Sequence, residues 1–105
     1  MSGIELVESR KNEIAVLCRR YGVVNLRLFG SALTDQWNSE SSDLDFLAEY
    51  GPESEKLRPL DRLVGLQARF EELFGRKVDV IDLGATKNLT FRRKALSESS
   101  VLYAE

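Results

Sequence analysis

The sequence predicts an α+β fold, in which a small mixed β-sheet of about three to four strands packs with helices on at least one face. Segments whose apolar residues recur at helical spacing alternate along the chain with short segments rich in valine, leucine and isoleucine. Glycines stand at the ends of several of these segments, where they commonly end a helix or a strand. With 105 residues, the chain is expected to form a single domain over residues 1–105.

The first predicted helix shows the periodicity clearly. Ile14, Leu17 and Cys18 fall on one apolar stripe, and Gly22 can end the helix in a left-handed conformation. In chain order, the predicted elements are a helix over residues 4–21, a strand over 23–29, a loop over 30–42 that can open with a short helix at Ser31, a strand over 43–50, a helix over 58–74, a strand over 77–83, a helix over 88–97 and a short apolar tail over 101–103.

Composition excludes several classes of protein. The chain carries 15 Lys+Arg and 17 Asp+Glu, and this slightly acidic balance argues against general nucleic-acid binding. No apolar run approaches the length of about 18 residues that a membrane span needs, so no membrane partner is expected. A single cysteine, and an N-terminal segment without the apolar core of a signal peptide, favour a cytoplasmic location. The absence of histidine excludes histidine-based catalysis and most zinc sites, so a metal site would use oxygen ligands.

Three aspartates are the candidate catalytic residues and metal ligands. Asp43 and Asp45 are two positions apart in a predicted strand, so their side chains share a face. Asp79 lies between Val78 and Val80, and it faces the same side if both valines face the core. Strands about 4.8 Å apart would then bring the three carboxylates together, where their repulsion favours a bound cation. Two Mg²⁺ ions about 3.5–4 Å apart fit such a set and would assist an in-line displacement at phosphorus.

Gly30 and Ser31 form a candidate phosphate-binding turn at the end of the first predicted strand. Glycine lets the backbone approach a phosphate closely, and the serine hydroxyl adds a hydrogen-bond donor. A Gly-Ser pair is uninformative by itself. It becomes specific when an Asp-x-Asp segment follows at the start of a hydrophobic strand, as it does at Asp43.

Several of these residues also have plain structural interpretations. Asp43 and Asp45 could be exposed acids at a strand edge, and Ser31 could be a turn or cap residue. Asp82 competes with Asp79 as the third acid, although a role at the strand end or in a turn suits it better. Trp37 could stack on a base or a partner, or pack over its own loop. The basic residues 92–94 could be a solvated helix face or could contact a nucleotide, RNA or an acidic partner.

At these residues the sequence resembles the nucleotidyltransferase superfamily that includes DNA polymerase beta. The signature is a hydrophobic residue with Gly-Ser, an Asp-x-Asp about ten residues later, and a third acid on a later strand. The matching segments are LFGS at 28–31, DLDFL at 43–47 and VDVI at 78–81. The gap between the first two is 11 residues, and the arginine and glycine that often follow Gly-Ser are absent. The short length and the ending Leu102-Tyr103 resemble the minimal nucleotidyltransferases (MNT), often the antitoxins of HEPN/MNT toxin–antitoxin pairs.

The resemblance implies a role for each candidate residue. Asp43 and Asp45 would hold the metal ions and the triphosphate of ATP. Asp79 would complete one metal site and help to deprotonate the acceptor. Gly30 and Ser31 would hold the β- and γ-phosphates.

The reaction that the resemblance implies is transfer of AMP from ATP to a tyrosine hydroxyl of a HEPN-type RNase toxin. The alternatives are a nucleotidyltransferase that modifies a small molecule such as an antibiotic, and an antitoxin that acts by binding alone. A chain of 105 residues has room for a nucleotide site and little else. The acceptor is therefore expected to come from another chain, in a homo- or hetero-oligomer.

Overall fold

A four-stranded mixed sheet, with the strand order β3-β2-β1-β4, organises the structure. The structure is a computed structural model that describes residues 1–105. Strand β1 pairs antiparallel with β2 and with β4, whereas β2 pairs parallel with β3. The strands and α-helices are α1 Gly3–Glu8, α2 Lys11–Tyr21, β1 Val23–Phe29, β2 Leu44–Tyr50, α3 Leu66–Phe74, β3 Val78–Asp82, α4 Leu89–Ser97 and β4 Ser100–Ala104. The predicted α+β class with a mixed sheet is confirmed.

The two faces of the sheet are covered unequally. The main core contains 16 buried residues and lies between one sheet face and helices α1, α2 and α3. At its centre the ring of Phe46 lies 4.9 Å from that of Phe70 and 6.1 Å from that of Phe74, measured between ring centroids. The other face carries a cluster of three buried residues, Leu47, Leu83 and Ala95, beneath helix α4. The part of that second face that α4 does not cover is open.

The helix predicted over residues 4–21 is wrong as one element, because the structure divides it into α1 and α2. The Ser9 hydroxyl donates a hydrogen bond of 2.6 Å to the carbonyl of Leu6, and Arg10 leaves the helical conformation. A serine that bonds to nearby backbone in this way competes with the helical pattern. Helix α2 then ends at Gly22 in the left-handed conformation, as predicted.

The segment predicted as an apolar tail over residues 101–103 is in fact part of strand β4. It pairs with β1, where Val101 is the partner of Arg27 and Ser100 is the partner of Leu28. A segment this short carries too few alternating residues to reveal a strand, and its hydrogen-bonding partner lies far away in the sequence.

The helix predicted over residues 58–74 forms, but it contains one wide turn. Residues Asp61–Gly65 adopt a π-helical turn before the regular helix α3. Gly65 lies against the ring of Tyr21, which a Cβ atom at position 65 would approach to 3.0 Å. The wide turn and the glycine thus allow α3 to pack closely on α2. No helix in the structure has both the length and the apolar character needed to cross a membrane.

Candidate active site

A glycine turn follows directly on strand β1. Gly30 has a φ of +80°, a conformation that side chains of L-residues rarely adopt, and it opens the short 3₁₀ helix Gly30–Leu33. A Cβ atom at this position would lie 2.6 Å from Oδ2 of Asp45. Position 30 therefore requires glycine for two reasons, its backbone conformation and the carboxylate beside it. The carbonyl of Ser31 accepts hydrogen bonds from the backbone N–H and the hydroxyl of Thr34, which closes the turn.

Asp45 and Asp79 are direct partners in the parallel pair of strands β2 and β3. Because they occupy matching register positions, their side chains point to the same face of the sheet. The residues that flank them, among them Phe46 and Val80, are buried in the main core on the other face. Asp45 is half-buried, whereas Asp79 is exposed on the edge strand. The sheet thus holds two carboxylates side by side at the open face.

Asp43 is placed differently from the other two acids. Strand β2 begins at Leu44, one residue later than predicted, so Asp43 belongs to the preceding loop and not to the strand. No group of three or more acidic, histidine or cysteine side chains is already arranged around a possible metal position. The structure therefore brings Asp45 and Asp79 together and leaves Asp43 at the entrance of the strand, held by the loop.

The charges of the three acids nevertheless act on one another. Burial of its carboxyl group, together with the negative charges of Asp79 and Asp43, raises the pKa of Asp45 from 3.8 to about 6. Repulsion of this kind disfavours the ionised form of Asp45. A cation at this position would relieve the repulsion. Oxygen ligands without histidine or cysteine suit Mg²⁺ or Mn²⁺.

A cavity of about 650 Å³ opens beside the glycine turn. Its walls come from the end of β1 with the turn, and from helix α4; they are Phe29, Gly30, Leu33, Thr34, Phe91, Lys94, Ala95 and Glu98. Phe91 was not predicted to be a site residue. The sequence did offer a signal, a large apolar residue on the polar side of a predicted helix. In the structure, the Phe91 side chain is 37% exposed.

The competing interpretations can be compared with the contacts. The Asp82 carboxylate accepts hydrogen bonds of 3.0 and 3.3 Å from the N–H groups of Gly84 and Ala85, so it caps a turn as suggested. In the basic segment, Arg92 donates a hydrogen bond of 2.7 Å to the carbonyl of Leu83. Residues 93 and 94 are exposed, and Lys94 also lines the cavity beside the glycine turn.

Trp37 packs within its own structure, beneath an arginine that the sequence did not single out. The guanidinium carbon of Arg76 lies 4.9 Å from the centre of the Trp37 ring. No local sequence pattern signals this contact, because it joins a loop before β2 to the connection before β3.

Comparisons with known proteins agree with this architecture. The model of the family "Nucleotidyltransferase domain" matches residues 11–103. A solved structure described as a proposed minimal nucleotidyltransferase is 29% identical, with a TM-score of 0.75 and 95% of each chain covered. No curated protein matches the chain.

Two more distant structures share the fold. A chain of a toxin–antitoxin complex with AMP-PNP is 18% identical, with a TM-score of 0.70, 90% of this chain and 73% of that chain covered. A chain of a complex between a tri-AMPylated HEPN toxin of Shewanella oneidensis and an MNT antitoxin is 17% identical, with a TM-score of 0.65, 93% of this chain and 72% of that chain covered.

The family match includes the glycine turn and all three acidic positions. The four-stranded mixed sheet with its helices is the fold of a minimal nucleotidyltransferase. The chain is a member of the nucleotidyltransferase domain family.

Proposed function

We propose that the chain transfers AMP from ATP to a hydroxyl group, a tyrosine hydroxyl by preference, of a HEPN-type RNase toxin, and that it is the antitoxin of that toxin. The observation that carries this proposal is the Asp45–Asp79 carboxylate pair, held in register by the sheet, with Asp45 lying against Gly30. A nucleotidyl transfer needs a place where acidic side chains and a phosphate-binding turn meet. The open face of this sheet supports that arrangement.

The acidic side chains fit two Mg²⁺ ions. Asp43, Asp45 and Asp79 would hold them. Burial, and after it the negative charges of Asp79 and Asp43, raises the pKa of Asp45, and a bound cation would favour the ionised carboxylate. When bound, the ions would offset the charge of the triphosphate and make the acceptor hydroxyl easier to ionise. Gly30 leaves room for the Asp45 carboxylate and offers its own backbone to the phosphates.

The nucleotide has a continuous path along the glycine turn. Gly30 and Ser31 would hold the β- and γ-phosphates, and Gly30 also lines the 650 Å³ cavity. This volume lies within the range of small-molecule pockets and accommodates a base with its ribose. Phe91 offers a ring face on which a base could stack, and stacking of this kind contributes about 1–3 kcal/mol per base.

The acceptor would approach from the side of Asp79. The hydroxyl oxygen attacks the α-phosphorus and forms the new P–O bond, while the bond to pyrophosphate breaks. The Asp79 carboxylate accepts the hydroxyl proton, a role for which its exposed place on the edge strand is suited.

The exposure of Asp79 also supports a large acceptor. None of the four cavities of the structure is lined by Asp79, so a small acceptor would find no pocket next to it. A protein surface, in contrast, can bring a tyrosine to an exposed carboxylate. The structural similarity to chains from toxin–antitoxin complexes supports a HEPN toxin as that protein.

The test is label transfer to a purified HEPN-type protein of the same organism, preferably the product of the adjacent gene. With Mg²⁺ and ATP labelled at the α-phosphate, we expect label on that protein and a mass increase of whole AMP units. Asp45→Asn and Asp79→Asn should each lower the rate by about 10³-fold or more, since each removes a ligand and a charge in the site. Asp82→Asn is the matched control on the same strand, and it should keep the activity because its side chain caps a turn.

Two results would contradict the proposal. Label on a small hydroxylated compound, and none on the toxin, would assign the chain to the small-molecule transferases. Full neutralisation of the toxin by a variant with asparagine at positions 43, 45 and 79 would show that binding alone is sufficient.

A further inference from the structure

Arg76 holds the loop that leads into Asp43. It lies in the short connection between α3 and β3, and its Nη1 donates a hydrogen bond of 3.0 Å to the carbonyl of Ser42. Its Nη2 donates to the carbonyl of Ser39 in the same loop. One planar guanidinium thus joins two carbonyl groups, which the single ammonium of a lysine could not do with the same geometry.

Trp37 completes this contact at the start of the loop. The Arg76 guanidinium lies over its ring at 4.9 Å, within the range of a cation–π interaction. The ring packs against the main core, and its Nε1 donates a hydrogen bond of 3.3 Å to the carbonyl of Met1. We call Arg76 and Trp37, with the carbonyls of Ser39 and Ser42, the arginine clamp.

The Arg76 guanidinium forms hydrogen bonds with the loop and no ion pair with an acidic residue. The four ion pairs of the structure lie on exposed surface and none of them contains Arg76. Its Nε atom is buried without a hydrogen-bond partner. An unpaired buried donor opposes stability unless the contacts to the loop offset its loss of solvation.

The three acids differ in what holds them. Asp45 and Asp79 are fixed by the ladder of β2 and β3. Asp43 precedes the strand. The peptide after it is held by the Leu44 N–H, which donates a hydrogen bond of 3.1 Å to the carbonyl of Lys77, and the peptide before it carries the Ser42 carbonyl that Arg76 binds. The clamp therefore holds Asp43 from the loop side, whereas the Leu44–Lys77 bond holds it from the side of the sheet.

We propose that Arg76, with Trp37 beneath it, is a positioning residue that sets Asp43 for metal binding. This inference rests on the proposed function, in which Asp43 is a metal ligand. Under this proposal, the loop of residues 37–42 orients Asp43, a role that the glycine turn does not have.

The test measures binding of Mn²⁺ by electron paramagnetic resonance, in the presence of AMP-PNP, and does not depend on an acceptor. Arg76→Ala and Arg76→Lys should each weaken Mn²⁺ binding by about 10–100-fold, the range typical of groups that orient metal ligands. The lysine variant keeps the positive charge but loses the planar guanidinium that donates to two carbonyls. A similar loss of Mn²⁺ affinity in both variants would therefore show that Arg76 acts by positioning the loop. A pure charge effect would instead make Arg76→Ala bind Mn²⁺ more tightly, because a positive charge has been removed, and this result would overturn the proposal.

Arg62→Ala is the matched control for stability. Arg62 also donates to a loop, through a hydrogen bond of 3.3 Å to the buried hydroxyl of Ser54, but that loop does not lead to an acid of the site. It should lower the thermal unfolding midpoint as Arg76→Ala does and leave Mn²⁺ binding unchanged. Equal losses of Mn²⁺ affinity in the two variants would contradict the clamp.

The outcome also separates this inference from the proposed function. A wild-type chain that binds Mn²⁺ but labels no protein would overturn the AMP transfer and leave the clamp supported by the binding data. A wild-type chain that binds no Mn²⁺ would overturn both. The chain has one tryptophan, so the fluorescence of each Arg76 variant reports whether the Trp37 ring has lost its contact with the side chain at position 76.

Discussion

The two faces of the sheet are built from the same strands but meet opposite demands. On the helix-covered face, Phe46, Val78 and Val80 are part of a core of 16 buried residues. On the open face, the alternate residues Asp45 and Asp79 place two carboxylates side by side, and only α4 covers the remainder. The packed core on one face therefore offsets the loss of stability on the other face, because neighbouring carboxylates without a cation oppose folding.

Replacing a core residue should have the largest effect on stability. Phe46→Ala removes a fully buried ring from a cluster of three aromatic rings, and it should lower the free energy of unfolding by about 3–5 kcal/mol. On the open face, Ile81→Ala should cost about 1–2 kcal/mol, because Ile81 is only half-buried. Urea unfolding of both variants measures the difference, and equal losses would show that the faces contribute alike.

The glycine turn gives the next largest effect. Gly30→Ala should cost about 2 kcal/mol or more, since the alanine would have an unfavourable φ and a Cβ atom pressed against Asp45. Gly75→Ala is the control, because Gly75 also has a positive φ but no atom within 4 Å of a Cβ there. It should cost about 1 kcal/mol and leave nucleotide binding intact. If both variants bind AMP-PNP like the wild type, the close contact at position 30 has no function.

Asp45→Asn should stabilise the chain when no divalent cation is present. The folded state raises the pKa of Asp45 to about 6, above its ordinary value of 3.8, so folding disfavours the ionised form. The stability of the wild type should therefore fall as the pH rises from about 4 to 7, where the folded state binds more protons than the unfolded state. A shift of this size corresponds to about 3 kcal/mol, and solvent screening at a half-buried site lowers the expected gain to about 1 kcal/mol.

Thermal unfolding in EDTA at several pH values measures this pH dependence of the stability for the wild type and Asp45→Asn. The difference between Asp45→Asn and the wild type should be largest above about pH 7 and should vanish below about pH 4, where the carboxyl group becomes protonated in both states. Addition of Mg²⁺ with AMP-PNP should stabilise the wild type and not the variant. If the wild type instead gains stability relative to the variant as the pH rises through this range, the Asp45 carboxylate is stabilised by folding and the expected sign is wrong.

The smallest expected change in stability concerns helix α4, which covers part of the second face of the sheet. Arg92→Ala should cost about 0.5–1 kcal/mol, because it removes the hydrogen bond to the Leu83 carbonyl. Arg93→Ala, on the exposed side, should change the free energy of unfolding by less than about 0.5 kcal/mol. Chemical unfolding of the pair measures how firmly α4 is attached, and equal values would show that the Arg92 contact adds nothing.

Much of the fold could be predicted because its signals are local. Strands β1, β2 and β3 are rich in apolar residues, and Gly22 and Gly75 end helices in the left-handed conformation. The pairing of Asp45 with Asp79 could be anticipated from the alternation of side chains in a strand.

The remaining features depend on contacts between distant parts of the chain. Strand β4 exists because β1 offers it hydrogen bonds, and nothing within residues 100–104 requires a strand. The contact of Arg76 with Trp37 joins two irregular segments, for which no periodicity applies. The break between α1 and α2 coincides with one serine hydroxyl bonded to nearby backbone, a signal weaker than the apolar stripe on which the prediction relied.

Gly30 couples the choice of amino acid at one position to the presence of an acid at another. Because a methyl group at position 30 would occupy the space of the Asp45 carboxylate, a larger residue at position 30 is disfavoured as long as that carboxylate is present. In related chains we therefore expect substitutions to occur as pairs, so that a copy with a larger residue at the turn has also given up the acid. The residues at these two positions of a homologous sequence would then show whether the close contact between the turn and the carboxylate is retained.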